Sequence, residues 1–168
     1  MCIRDRKYKD LFFVFHSTQE HVQLLQKQLL DKGLKNCGAI ADEKIKSHIL
    51  KSSVFAVAKS GTISLEICNS KIPSIIIYKM GAINFFIVKM LVKVKFANII
   101  NIAAGEEIIP ELLQSKCYAK DIYNTVEKLM NDKTALENQL NKTQSIISHF
   151  KTDKSVSYTH LRAHETLR

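Results

Sequence analysis

The chain has 168 residues, 46% of them hydrophobic, and carries a formal net charge of +9 with a pI near 9.4. That length suits one ordinary domain, and that apolar content permits a real core, which excludes a disordered polymer. The positive balance favours an anionic partner (nucleic acid, acidic lipid or a phosphorylated substrate) without choosing among them.

Residues 1–6 and the tail from about residue 155 resemble translated sequencing-adapter read-through. Neither carries periodicity continuous with its neighbour, so both are set aside from fold reasoning and 151–168 are expected to form a disordered tail. His160 and His164 then drop out as a metal pair, the net charge stays positive, and the natural protein is expected to extend upstream. Cys2, Cys37, Cys68 and Cys117 are scattered, with no Cys-x-x-Cys pair and no histidine at ligand spacing. Reduced thiols are expected, and neither a metal site nor a cofactor. With a charged N-terminus and a short first apolar run, no secretory signal is expected in this stretch.

In chain order, the continuous apolar run 11–15 predicts a strand buried on both faces, as in a parallel sheet. His16, at its carboxyl end, reads as a capping-region or loop residue. Ser17-x-x-Glu20 is a capping box opening a helix with Val22, Leu25 and Leu29 on one stripe, stopped by Gly33. A short strand at 37–40 follows, then a helix with Asp42 as N-cap and Ile45, Ile49 and Leu50 inward. The run 54–58 is another strand. Pro73 stands at the entry of a strand over 74–78, where no ladder N–H is needed. A last short strand is predicted at 96–100, and Pro110 reads as the first position of a helix holding Leu112 and Leu113. Residues 118–149 read as two helices broken near Asn131-Asp132. Strands alternating with helices mean βαβ units: an α/β fold with a Rossmann-like parallel sheet flanked by helices, over 7–150, followed by C-terminal helices.

The segment 82–92 is apolar nearly all round, with Lys89 and Lys93 in and after its second half. As a helix it would run about 16 Å, too short for a bilayer core of about 30 Å. Two readings stay open. It packs between the sheet and a partner domain, or it offers Phe85 and Phe86 to lipid or acyl chains with Lys89 and Lys93 set for acidic head groups.

The most informative stretch is Lys59-Ser60-Gly61-Thr62-Ile63-Ser64-Leu65-Glu66. A strand, a small glycine-containing turn and a helix start make an anion site in α/β folds, because backbone N–H groups point outward there. Glu66 falls four residues after Thr62 on one helical face, about 6 Å along the axis. A diphosphate at the turn would leave a ribose where Glu66 can accept its hydroxyl hydrogen bonds.

Taken together, Ser60-Gly61-Thr62 with Leu65-Glu66, Ile72-Pro73, the strand ending Tyr78-Lys79-Met80, Leu91-Val92-Lys93, Asn101 with Ala104-Gly105, and Pro110-Glu111-Leu112-Leu113-Gln114 resemble the C-terminal half of lipid-A-disaccharide synthase. Order and spacing match over roughly 12–128. The resemblance implies the donor-binding domain of a GT-B type glycosyltransferase, a hexosyltransferase built from two Rossmann-like domains. It further implies transfer of diacylglucosamine from UDP-2,3-diacylglucosamine to 2,3-diacylglucosamine 1-phosphate with release of UDP, at the cytoplasmic face of the Gram-negative inner membrane, as a peripheral protein. By the same resemblance Ser60, Gly61 and Thr62 hold the diphosphate and Glu66 the ribose or sugar. Asn101 lies at the cleft as UDP-sugar contact and catalytic candidate, Gly105 makes the tight turn of its motif and also counts among the UDP-sugar-binding residues, and Glu111 and Gln114 orient the cleft wall. The chain departs from the pattern at Ile100, where proline is usual, and at Glu106, where a basic residue is common. The acceptor domain is absent from this stretch, so the piece alone is expected to be inactive, and a homo-oligomer is possible. The alternatives are another UDP-sugar transferase or epimerase of this fold, and a non-catalytic basic membrane-surface module. Nucleic acid is not expected, because the lysines fall on helices and the aromatics look buried.

Overall fold

A computed structural model describes residues 10–81 and 95–165. Its backbone divides into two compact units, Met1–Ser52 and Ser53–Arg168. The segment 82–92 with Phe85, Phe86, Lys89 and Lys93, and the end 1–6, lie outside the described residues.

The first unit is β1 (Phe13–His16), α1 (Gln19–Asp31), β2 (Cys37–Ile40) and α2 (Glu43–Ser52). β1 and β2 are parallel, from Phe13 opposite Cys37 to His16 opposite Ile40. Thr18, not Ser17, is the N-cap of α1, and its side chain makes no cap bond; its Oγ1 lies 2.7 Å from His21 Nδ1 instead. The far end closes as a Schellman motif. Gly33 at φ 61° lets its N–H reach Leu30 O at 2.8 Å and Leu34 N–H reach Leu29 O at 3.1 Å. Asp42 caps α2 as expected, its Oδ1 accepting from Lys44 N at 2.7 Å. Gln26 Nε2 donates to Ala39 O at 3.1 Å, tying α1 to β2. The expected two-sided burial of β1 is not found: all four of its residues are exposed, and Phe12 beside it is 65% exposed. The reason lies in its cover, for α2 buries no residue and α1 only Val22.

The second unit holds β3 (Ala56–Lys59), α3 (Ile63–Asn69), β4 (Ser74–Tyr78), α4 (Ile99–Ala104), β5 (Glu111–Leu113), a 3-10 turn (Gln114–Lys116), α5 (Ala119–Asn131) and α6 (Lys133–Glu165). The sheet is parallel in the order β3-β4-β5. Ile75 and Ile76 are both 0% exposed. Successive strand residues face opposite sides, so β4 is covered on both. On the Ile75 side the core joins Leu112 and Leu129 with Ile122, Val126 and Leu136, the stripes read from sequence. One side-chain amide docks α6: Gln139 Nε2 donates to Ser74 O at 3.0 Å while its Oε1 accepts from Ser74 N at 2.8 Å.

Three sequence expectations are corrected. The strand expected at 96–100 is instead the start of α4, because Asn98 Oδ1 accepts from Ile100 N at 2.8 Å and caps a helix. The helix expected after Pro110 is β5. Pro110 stands at a strand entry just as Pro73 does, and its carbonyl accepts from Ile76 N at 2.9 Å. The tail expected to be disordered from 151 continues the backbone of α6 to Glu165, and no glycine or proline follows Pro110 to stop it. The break between α5 and α6 falls where predicted, with Asp132 Oδ1 accepting from Ala135 N at 2.9 Å. Among the described residues no helix is long and apolar enough to cross a membrane.

Candidate functional site

β3 ends at Lys59, and Ser60-Gly61-Thr62 carries the chain into α3. The turn therefore lies at the carboxyl ends of parallel strands, where α/β proteins gather ligands. Gly61 has φ 150°, a backbone position side chains rarely take, and a Cβ there would meet nothing within 4 Å. Gly61 and Thr62 are both exposed, so no side chain of the described residues plugs the turn. Its carbonyls are engaged inward: Gly61 O accepts from Ser64 N at 3.2 Å and Ser64 Oγ at 2.7 Å, and Thr62 O accepts from Leu65 N at 3.0 Å. The amides of Gly61, Thr62 and Ile63 take no part in those bonds. Glu66 is exposed in the first turn of α3, which has seven residues. So short a helix offers amides more than a macrodipole.

Ser60 faces the other way. Its Oγ donates to Ala97 O at 2.6 Å, so the hydroxyl proton holds the turn to the strap before α4 rather than reaching outward. That strap is fixed by one carboxylate on β5. Glu111 Oε2 accepts from Ala97 N at 2.7 Å, and its Oε1 accepts from Asn98 N at 2.9 Å and Asn101 Nδ2 at 2.8 Å. Glu111 thus fixes the strap and Asn101 together. Gln114 ties the loops after β4 and β5, its Oε1 accepting from Met80 N at 3.3 Å.

Asn101 does not reach the site as a ligand contact. It is 0% exposed. Its Nδ2 donates to Ile109 O at 2.7 Å as well as to Glu111, and its Oδ1 accepts from Ile108 N and Ile109 N, both at 2.9 Å. Two donors and two lone pairs are thereby used up. Its work is to organise the 105–109 loop. Gly105 opens that loop as the left-handed cap of α4, with φ 70°, and is exposed. Glu106, where a base was expected, is bound on both oxygens by Lys142 Nζ at 2.7 and 2.8 Å. His16, expected in a loop or capping region, is instead the last residue of β1, paired with Ile40, and its Nε2 lies 3.6 Å from Glu43.

Lys59 and Lys79 stand in the motifs read from sequence but, like Tyr118, are given no site role there, and the structure places all three at the same edge. Lys59 Nζ sits 5.5 Å from the Tyr78 ring centroid and Lys79 Nζ 5.0 Å from that of Tyr118. The available signal was a basic residue beside each strand end. Two amide nitrogens at this edge, Asn98 Nδ2 and Gln114 Nε2, are buried with no hydrogen-bond partner among the described residues. A cavity of about 220 Å³ lined by Glu107, Pro110, Leu129, Asn138 and Lys142 lies at the amino end of β5, away from the turn. Burial pushes the Cys68 thiol up to about 11, which makes it a poor nucleophile.

A family model described as lipid-A-disaccharide synthetase matches residues 4–164. The lipid-A-disaccharide synthase of Rickettsia typhi is 35% identical over 155 residues, covering 91% of this chain and 40% of that protein. That of Rickettsia felis is 41% identical over 121 residues, 70% of this chain and 30% of the relative. That of Rickettsia conorii is 44% identical over 102 residues, 59% of this chain and 23% of the relative. The chain thus spans at most about 40% of the length of these three relatives.

Proposed function

The chain belongs to the lipid-A-disaccharide synthetase family, and from that premise we propose that it is the nucleotide-sugar-binding part of a glycosyltransferase of lipid A biosynthesis. The donor is UDP-2,3-diacylglucosamine, the acceptor 2,3-diacylglucosamine 1-phosphate, and UDP the leaving group. The observation that carries this reading is the unplugged Gly61-Thr62 turn at the carboxyl end of β3, with Glu66 one helical turn further on. The diphosphate lies over the turn amides and Glu66 accepts from the ribose hydroxyls. The two unpartnered amide nitrogens at the same edge support a ligand at that end.

In this arrangement Ser60, Asn101 and Glu111 touch no substrate. They hold the turn, the strap and the 105–109 loop in register, so that amides meet the donor already ordered. Gly105 ends α4 and lets that loop reverse. The acceptor and the general base belong to a further domain, so this chain binds UDP weakly and shows no turnover alone. The protein works at the cytoplasmic face of the inner membrane, held peripherally; Phe85, Phe86, Lys89 and Lys93 are its membrane or acyl-chain contacts on sequence grounds.

Calorimetry with UDP and with pyrophosphate tests the donor site. UDP is expected to bind in the high micromolar to millimolar range, and Glu66→Ala to weaken UDP several-fold while leaving pyrophosphate unchanged. Absence of UDP binding at millimolar ligand, with the fold intact by circular dichroism, overturns the reading. Equal losses for UDP and pyrophosphate would remove Glu66 from the ribose.

A further inference from the structure

Three lysines of the second unit differ in what holds their charge. Lys142 is neutralised by Glu106. Lys59 and Lys79 are exposed, and among the described residues neither is paired with a carboxylate; each ammonium rests on a tyrosine face instead. Both stand at the carboxyl edge. Lys59 is the last residue of β3 and lies opposite Ile77, so Lys79 is two residues further along the neighbouring strand. Strand spacing and rise then separate the two Cα atoms by about 8 Å. Flexible four-carbon stems on that spacing can converge on one anion.

From this we infer that Lys59 and Lys79 form a cationic subsite for the diphosphate of the bound nucleotide, flanking the Gly61-Thr62 turn. The inference rests on the donor-site reading above and adds the groups that supply its charge. An ammonium on an exposed aromatic face is weakly held. A charge-assisted hydrogen bond to phosphate is stronger, so the cation leaves the ring when the anion arrives. Until then Tyr78 and Tyr118 limit the rotamers each lysine samples, which lowers the entropy lost on binding. The same positive charge would favour the separated nucleoside diphosphate over the intact donor, because the product bears more charge.

The test compares UDP binding by calorimetry in the full 168-residue chain and its variants. Lys59→Gln and Lys79→Gln are each expected to raise Kd about ten-fold and to make it less sensitive to salt. Lys79→Arg keeps the charge and should restore binding; Tyr118→Phe keeps the ring and should leave Kd unchanged. A structural role for the lysines would move the melting temperature instead, and both Gln variants should melt with the parent chain. If the parent binds UDP and the Gln variants bind it equally well, the lysine assignment is overturned while the donor site stands. If the parent itself takes up no UDP, the donor site falls and this inference with it. A second arm uses sedimentation with vesicles of phosphatidylglycerol and phosphatidylcholine. Variants that lose vesicle binding but keep UDP would identify the anion as a lipid head group and overturn the assignment to the nucleotide.

Discussion

The two units of this chain use similar raw material to different effect. In the second unit the apolar strand β4 lies between neighbours on both edges and layers on both faces, and Ile75, Ile76, Ile100 and Ile109 are all at 0% exposure. In the first, an equally apolar strand has one partner, and Phe13, Val14 and Phe15 are 38%, 39% and 42% exposed. Hydrophobicity of a strand supplies the driving force only where another layer removes it from water. The second unit also sets polar side chains against its backbone: buried Asn101 and Gln139 and half-buried Glu111 bind backbone groups that would otherwise be orphaned. The edge proposed for the donor therefore belongs to the better-buried unit, which suits a site that must present amides in fixed positions.

The sharpest way to break this comparison is to empty the two strands in turn. Ile75→Ala should cost about 3 to 4 kcal/mol, because a fully enclosed side chain leaves a cavity. Phe13→Ala should cost less, about 1 to 2 kcal/mol, because the ring is already 38% exposed and leaves no closed cavity. Urea unfolding followed by circular dichroism reads both, and equal losses would mean that the units share one core. Next comes Asn101→Ala, which strands the Ile108 and Ile109 amides and the Ile109 carbonyl. A loss of about 2 to 3 kcal/mol is expected, together with faster hydrogen exchange confined to 105–109. Exchange spreading through β3 instead would show the loop to be no separate element. Smaller again is the Glu106–Lys142 pair, whose side chains are 55% and 41% exposed. Lys142→Gln should change stability by less than about 1 kcal/mol, and the change should vanish in high salt.

Much of this contrast was readable in the residues. The run 74–78 with Pro73 at its entry, the Gly33 stop, the Asp42 cap and the Asn131-Asp132 break are each local chemistry, and each falls where expected. The misreadings come from signals that point two ways. Pro110 suits a helix start and a strand entry equally, and only the register Ile77 to Leu112 decides. The apolar run through 96–100 outweighed Asn98, a helix cap by residue type. Burial of β1 depended on neighbouring layers, which periodicity cannot supply. The turn at Gly61 was legible because glycine at such a φ is local. Asn101 was misplaced because its partners at 108, 109 and 111 come together only in three dimensions.

Two cysteines offer the gentlest probe once half-exposed Cys117 is replaced by alanine: Cys37 is half-exposed in the first unit and Cys68 buried in the second. Cys37 Sγ donates only to Leu34 O, at 3.5 Å, whereas Cys68 is enclosed in α3 and its pKa is raised from 9.0 to about 11 by burial. At pH 8 a disulfide reagent should label Cys37 within minutes, and Cys68 only at the rate at which the second unit opens. The raised value also fixes a sign. Between pH 9 and 11 the unfolded chain loses the Cys68 proton while the folded chain keeps it, so the folded state binds more protons and stability falls as pH rises. Below pH 9 the thiol is neutral in both states and contributes no slope. Cys68→Ala should therefore flatten the alkaline loss of stability, and Cys37→Ala should leave it unchanged. Equal labelling of the two thiols at neutral pH would mean that the second unit opens as readily as the first, and the contrast between them would be one of exposure alone.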